Sequence, residues 1–140
     1  RISETKYRIG QAQLRKFLLE ERGCCDLTGF DIKPLLGVSH IIPWCVDEQY
    51  RTDPRNVLLL RFDIDALFDA GFISFEDDGK MIIAKSLDDA LKSHPNDTAF
   101  MGLKEVLAKK PTLNVKRLGC NKFLAYHREY CFQDGRSYDK

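Results

Sequence analysis

Ser39-His40-Ile41-Ile42-Pro43-Trp44 decides the fold, together with Arg55-Asn56-Val57-Leu58-Leu59-Leu60 and Asp65-Ala66-Leu67-Phe68-Asp69-Ala70-Gly71 downstream. Leu35 to Ile42 is an apolar run that Pro43 ends, because proline cannot donate a ladder hydrogen bond, and it predicts a first strand. The polar stretch 45–54, closed by Asp53-Pro54, predicts a loop. Val57 to Leu60 predicts a short buried strand. Phe62 to Ala70 predicts a helix stopped by Gly71, with Ile64, Leu67 and Phe68 on one face. The central unit is therefore strand, loop, strand, helix. His40 stands near the end of the first strand, Asn56 just before the second, and Asp65 and Asp69 lie on the helix.

Around this unit the pattern is mixed α and β. Residues 9–22 read as a helix stopped by Gly23, and 24–34 as a turn-rich connection containing Thr28-Gly29. Phe72–Phe75 and Met81–Ala84 predict a hairpin about Glu76-Asp77-Asp78-Gly79. Ser86 with Asp88 and Asp89 opens a short helix that His94-Pro95 ends. Leu103–Lys110 predicts another helix and Asn121–Phe132 the last, with 134–140 expected to fray. The 140 residues suit one domain, 1–140, with a core at about 35–71. The first residue is Arg1, so a fragment of a longer protein is expected.

Composition narrows the class. With 44% hydrophobic and 31% charged residues the chain has the make-up of a globular domain. No run approaches the roughly 18 apolar residues of a membrane span, and no signal-peptide pattern opens the chain. Five cysteines form no CxxC pair and predict reduced thiols and a cytoplasmic setting, with structural zinc as the alternative. Net charge is only +1, but it is uneven. Residues 1–22 carry six Lys/Arg against three Glu, 63–97 three Lys against nine Asp/Glu, and 104–128 seven Lys/Arg against one Glu. A basic face beside an acidic centre suits a phosphate-binding protein with a metal site, although solvated faces give the same counts.

Asp65 and Asp69 share a helix face, where like charges repel unless a cation stands between them. Two hard oxygen donors favour Mg²⁺ or Mn²⁺ over zinc, whereas two solvated helix-end aspartates are the plainer reading. His40 is either a hydrogen-bonded structural residue or a general base, its ordinary pKa near 6.5 leaving neutral imidazole at physiological pH. Taken alone, Asn56 is a turn residue. His127, beside Phe123 and Leu124, reads as a packing residue, and His94 as surface.

Together these stretches, with Cys25-x-x-Thr28-Gly29, Phe72-Ile73-Ser74-Phe75 and the tail Phe123-Leu124-Ala125-Tyr126-His127-Arg128-Glu129-Tyr130-Cys131-Phe132, resemble the HNH endonucleases. The subgroup found in bacterial restriction and phage-defence proteins is the most similar. The resemblance spans about 8–132 and implies an α+β domain: a ββα-metal finger with flanking helices and an added hairpin. It puts His40 at the general base and Asn56 at the middle position, which holds the loop in place or in some members touches the metal. Asp65 stands where the family has its last histidine, Asp69 at a further ligand position, and Ser39 where an Asp or His ligand often precedes the base. It implies one divalent ion, Mg²⁺ foremost with Mn²⁺ or others as alternatives, held by Asp65, Asp69 and marginally Ser39. It also implies DNA as partner, with Arg55, Lys116, Arg117 and Lys122 as backbone contacts, and a separate targeting or sensor domain. Two-strand cutting would call for a homodimer. Because Ser39 and Asp65 depart from the pattern, a catalytically weak or inactive DNA-binding module is the alternative to an active nuclease.

Overall fold

A computed structural model of the chain describes residues 2–95 and 101–133; the tail expected to fray lies outside the described residues. Helix α1 (Ile2–Glu21) presents Leu14 and Leu18 to the core one turn apart, and continues further toward the N-terminus than the apolar spacing indicated. Strands β1 (Leu36–His40) and β2 (Val57–Arg61) form an antiparallel pair in the register Leu36↔Arg61 to His40↔Val57. β1 is shorter than the apolar run. Ile41 donates its N–H to the Asn56 carbonyl, and Ile42 donates to the Asn56 side chain, so the chain leaves the ladder to enter the loop.

Val57 to Leu60 are all fully buried, which explains why β2 shows no polar alternation. Asp26 pins the turn after α1 to this strand. Its backbone N–H donates to Leu59 O at 2.7 Å, and its carboxylate accepts from Leu59 N at 2.8 Å and from Arg22 at 2.7 Å. Burial pushes the Asp26 carboxyl up, against the lowering pull of Arg22.

Helix α2 (Phe62–Asp69) follows β2 without a loop and sinks Ile64 and Phe68 into the core. Gly71 ends it with φ +84°, where a Cβ would strike the carbonyl of Cys131. The expected hairpin is present as β3 (Ile73–Phe75) paired with β4 (Met81–Ile83). Helices α3 (Lys85–Lys92), α4 (Met101–Lys109), α5 (Val115–Leu118) and α6 (Asn121–Tyr126) complete the shell. α5 was not legible in the sequence: four residues are too few for helical periodicity, and its local signals are confined to its ends, the Asn114 cap on Arg117 N and the left-handed Gly119 that closes it. The last helix changes at His127 into a π-helical turn, His127–Cys131.

Among the described residues, that turn carries the most deeply buried titratable ring. His127 stacks on Phe68 with centroids 4.0 Å apart, donates from Nε2 to Phe68 O at 3.1 Å, and accepts at Nδ1 from the Ser74 hydroxyl at 2.8 Å. One ring thus ties α2, β3 and the C-terminal turn together, as a neutral group. Burial depresses its pKa to about 4. No helix among the described residues is long and apolar enough to cross a membrane.

Stability should respond to this burial. Below the ordinary histidine pKa of 6.5 the unfolded chain takes up a proton that the folded chain refuses until about pH 4. Folding should therefore lose on the order of 3 kcal/mol from this group as pH falls across that window. Urea midpoints at pH 7.5 and pH 4.5 should diverge for the wild type, and His127→Gln should shrink the difference.

Candidate active site

The loop between β1 and β2 is closed by one buried side chain. Asn56 accepts from Ile42 N at 2.8 Å and donates from Nδ2 to Ile42 O at 3.2 Å and Tyr50 O at 3.3 Å. Both faces of the amide are occupied and the residue is 1% exposed, so it joins the loop's start, middle and end. Asp53 caps the final turn of the loop on Arg55 N.

His40, half-buried at the end of β1, receives its orientation from that loop. Its Nε2–H donates to the Arg51 carbonyl at 2.7 Å. A carbonyl only accepts, so this ring nitrogen must carry the proton and Nδ1 of the neutral ring is left with its lone pair. The ring also meets the edge of Trp44 at 5.3 Å and 89°. Arg51 braces Trp44, donating from Nε to its carbonyl at 2.8 Å, with the guanidinium 4.8 Å from the ring centroid. Burial lowers the His40 pKa, opposed by the Arg51 carbonyl and the charge of Asp69, so the imidazole is neutral at physiological pH. The partner of Nε2 had no sequence signal, because a backbone carbonyl reads the same at every residue.

On α2 the aspartates differ. Asp69 is exposed and Asp65 half-buried. Burial raises the Asp65 pKa, Asp69 adds to the rise, and a hydrogen bond from Ser39 opposes both. Ser39 is itself buried, and its hydroxyl donates to Asp65 Oδ1. Two like charges on one face, one of them short of solvent, are costly until a cation joins them. Among the described residues no group of three or more His, Cys, Asp and Glu converges on one point. Two carboxylates are nonetheless a donor set that suits Mg²⁺, which keeps several waters and takes only one or two carboxylates from a protein.

The basic residues gather on neighbouring segments. Lys122 lies over the Tyr50 ring at 4.9 Å and the Phe123 ring at 5.0 Å. Arg55 packs beside Gly119, where a Cβ would sit 3.6 Å from its side chain. Arg117 stands 3.7 Å from Asp26, and Lys116 is exposed on α5. Arg55 is the least free of the four, since Asp53 holds it through two hydrogen bonds at 3.1 and 2.7 Å. The five cysteines are free thiols; Cys25 and Cys120 are buried, and burial pushes Cys120 up to about 11.

Removing the Asn56 amide should open the loop. Asn56→Ala strands Ile42 N, Ile42 O and Tyr50 O, at about 1–3 kcal/mol for each group left buried without a partner. Denaturant unfolding should show a loss of about 3 kcal/mol or more, with hydrogen exchange accelerated first in residues 41–56.

No curated protein matches the chain. Residues 25–76 match the family HNH_2, described as HNH endonuclease. That span runs from the turn pinned by Asp26 through both strands and α2 to the end of β3, so the part of the chain that is similar to the HNH endonucleases is the ββα unit.

Proposed function

We propose that the chain is a metal-dependent endonuclease domain that hydrolyses DNA phosphodiester bonds, with His40 as general base. The observation that carries this reading is the commitment of His40 Nε2 to the Arg51 carbonyl. It fixes the tautomer whose free Nδ1 can accept a proton, in a ring already kept neutral. Nuclease-type chemistry is what the family match supports; the roles of single residues rest on the geometry and on the resemblance.

Hydrolysis needs a deprotonated water and relief of charge on the phosphate. His40 Nδ1 takes the proton as the water oxygen bonds to phosphorus and the bond to the 3′ oxygen breaks; the departing oxygen takes up a proton from solvent, leaving 5′-phosphate and 3′-hydroxyl ends. Asp65 and Asp69 would hold one divalent ion, Mg²⁺ foremost, through oxygen donors. When bound, the ion supplies Lewis-acid stabilisation of the scissile phosphate and the departing oxygen. Asn56 keeps the loop closed, so that the Arg51 carbonyl stays under the His40 ring.

Lys122, Arg117, Lys116 and Arg55 supply sequence-independent phosphate contacts, supported by their position on adjoining exposed segments. The resemblance to restriction and phage-defence nucleases supports a role in such a protein, in the cytoplasm, with targeting by a further domain and pairing of two copies for two-strand cuts.

The wild-type chain should nick supercoiled plasmid in Mg²⁺ or Mn²⁺ and stop in EDTA. His40→Ala should lose at least about 100-fold in rate, the lower range for a general base, while its unfolding midpoint stays near wild type. A variant that cuts at the wild-type rate would remove His40 from the chemistry. Salt-dependent DNA binding with no nicking by the wild type would instead favour the DNA-binding module. Lys122→Ala and Arg117→Ala should each weaken DNA binding alike across sequences and lower the salt slope by about 1.

A further inference from the structure

Ser39 and Gly37 face α2 from alternate positions of β1. The Ser39 hydroxyl is spent on Asp65 Oδ1. Ser39 is 2% exposed, so no solvent competes for that bond. At Gly37 the remaining space is taken by the same carboxylate. A Cβ built there would collide with Asp65 Oδ2, stand 2.9 Å from Cγ and 3.5 Å from the Asp65 Cβ. Gly37 lies in β1 without a left-handed φ, so its lack of a side chain answers to this space and not to a turn. One strand residue thus donates to one carboxylate oxygen, and another leaves room for the second.

We propose that Ser39 is a positioning residue for Asp65 and not itself a cation ligand, and that Gly37 is the bare position that lets the carboxylate lie against β1. Ser39 holds Oδ1, which fixes the carboxylate plane and leaves Oδ2 as the oxygen for the cation. The inference rests on the assignment of a divalent ion to Asp65 and Asp69. It explains how the chain manages with serine beside the base histidine: the hydroxyl acts through Asp65, and an aspartate at position 65 requires both its donor and its space.

Mn²⁺ titration calorimetry on the 140-residue chain, without DNA, tests this apart from turnover. Ser39→Ala should weaken Mn²⁺ binding about 10- to 100-fold, the range for lost outer partners of a metal ligand. It should have no further effect in an Asp65→Asn background. Gly37→Ala should weaken Mn²⁺ binding at least as much while leaving the circular dichroism spectrum unchanged, because the obstacle it meets is a movable side-chain end. Ser39→Cys, given Cd²⁺, should show no gain in affinity over the wild type. Wild-type Mn²⁺ affinity in Ser39→Ala, or tight Cd²⁺ binding by Ser39→Cys, overturns the positioning role but leaves the carboxylate site standing. Absence of Mn²⁺ binding by the wild type overturns the site and the positioning role together.

Discussion

Closure of the β1–β2 loop by the buried Asn56 amide is the constraint on which the rest depends. A loop of this length has a substantial entropic cost to fix, and its backbone groups need partners wherever water is excluded. Asn56 meets both requirements with one side chain, gripping the N–H and the carbonyl of Ile42 and the carbonyl of Tyr50. Arg51, the next residue after Tyr50, is thereby fixed in space, and its carbonyl selects the tautomer of His40. The chemistry of the ring is decided by a backbone oxygen eleven residues away, which is held in turn by an amide five residues further on.

The second determinant is electrostatic and works through partial burial. His40 and Asp65 each lose solvent, and the loss pushes each toward its neutral form, lowering one pKa and raising the other. For the histidine this is what a base requires. For the aspartate it is a cost that Asp69 increases and the Ser39 hydroxyl reduces. An acidic pair on one face of a short helix, with the Ser39 hydroxyl donating to one member, destabilises the fold more than it stabilises it, and a cation would reverse that sign. Outside this region Ser74 and His127 show the other outcome: a polar pair more deeply buried than either, with both ring nitrogens of His127 hydrogen-bonded and the ring stacked on Phe68.

Much of the architecture was legible in the residue order. An apolar run ended by Pro43, a loop ended by Asp53-Pro54, a wholly apolar Val57–Leu60 and a helix stopped by Gly71 are local signals, and each produced the element it foretold. The hairpin after α2 followed from the same turn chemistry. Elements without local pattern were missed or misplaced. α5 is a single turn, β1 surrenders Ile41 and Ile42 to bonds with Asn56, and the final helix widens at His127 to reach Phe68 and Ser74.

The candidate site divides in the same way. Residue type and spacing determined which side chains were in question: one imidazole, one amide, and two carboxylates a helical turn apart. That is because donor chemistry belongs to the side chain and the turn of a helix is fixed by its geometry. Tertiary structure alone decided how they are held. The Arg51 carbonyl under His40, the Ser39 hydroxyl on Asp65 and the empty space at Gly37 join residues distant in the chain. A backbone oxygen or a missing side chain leaves no mark in a sequence until folding brings it against a partner.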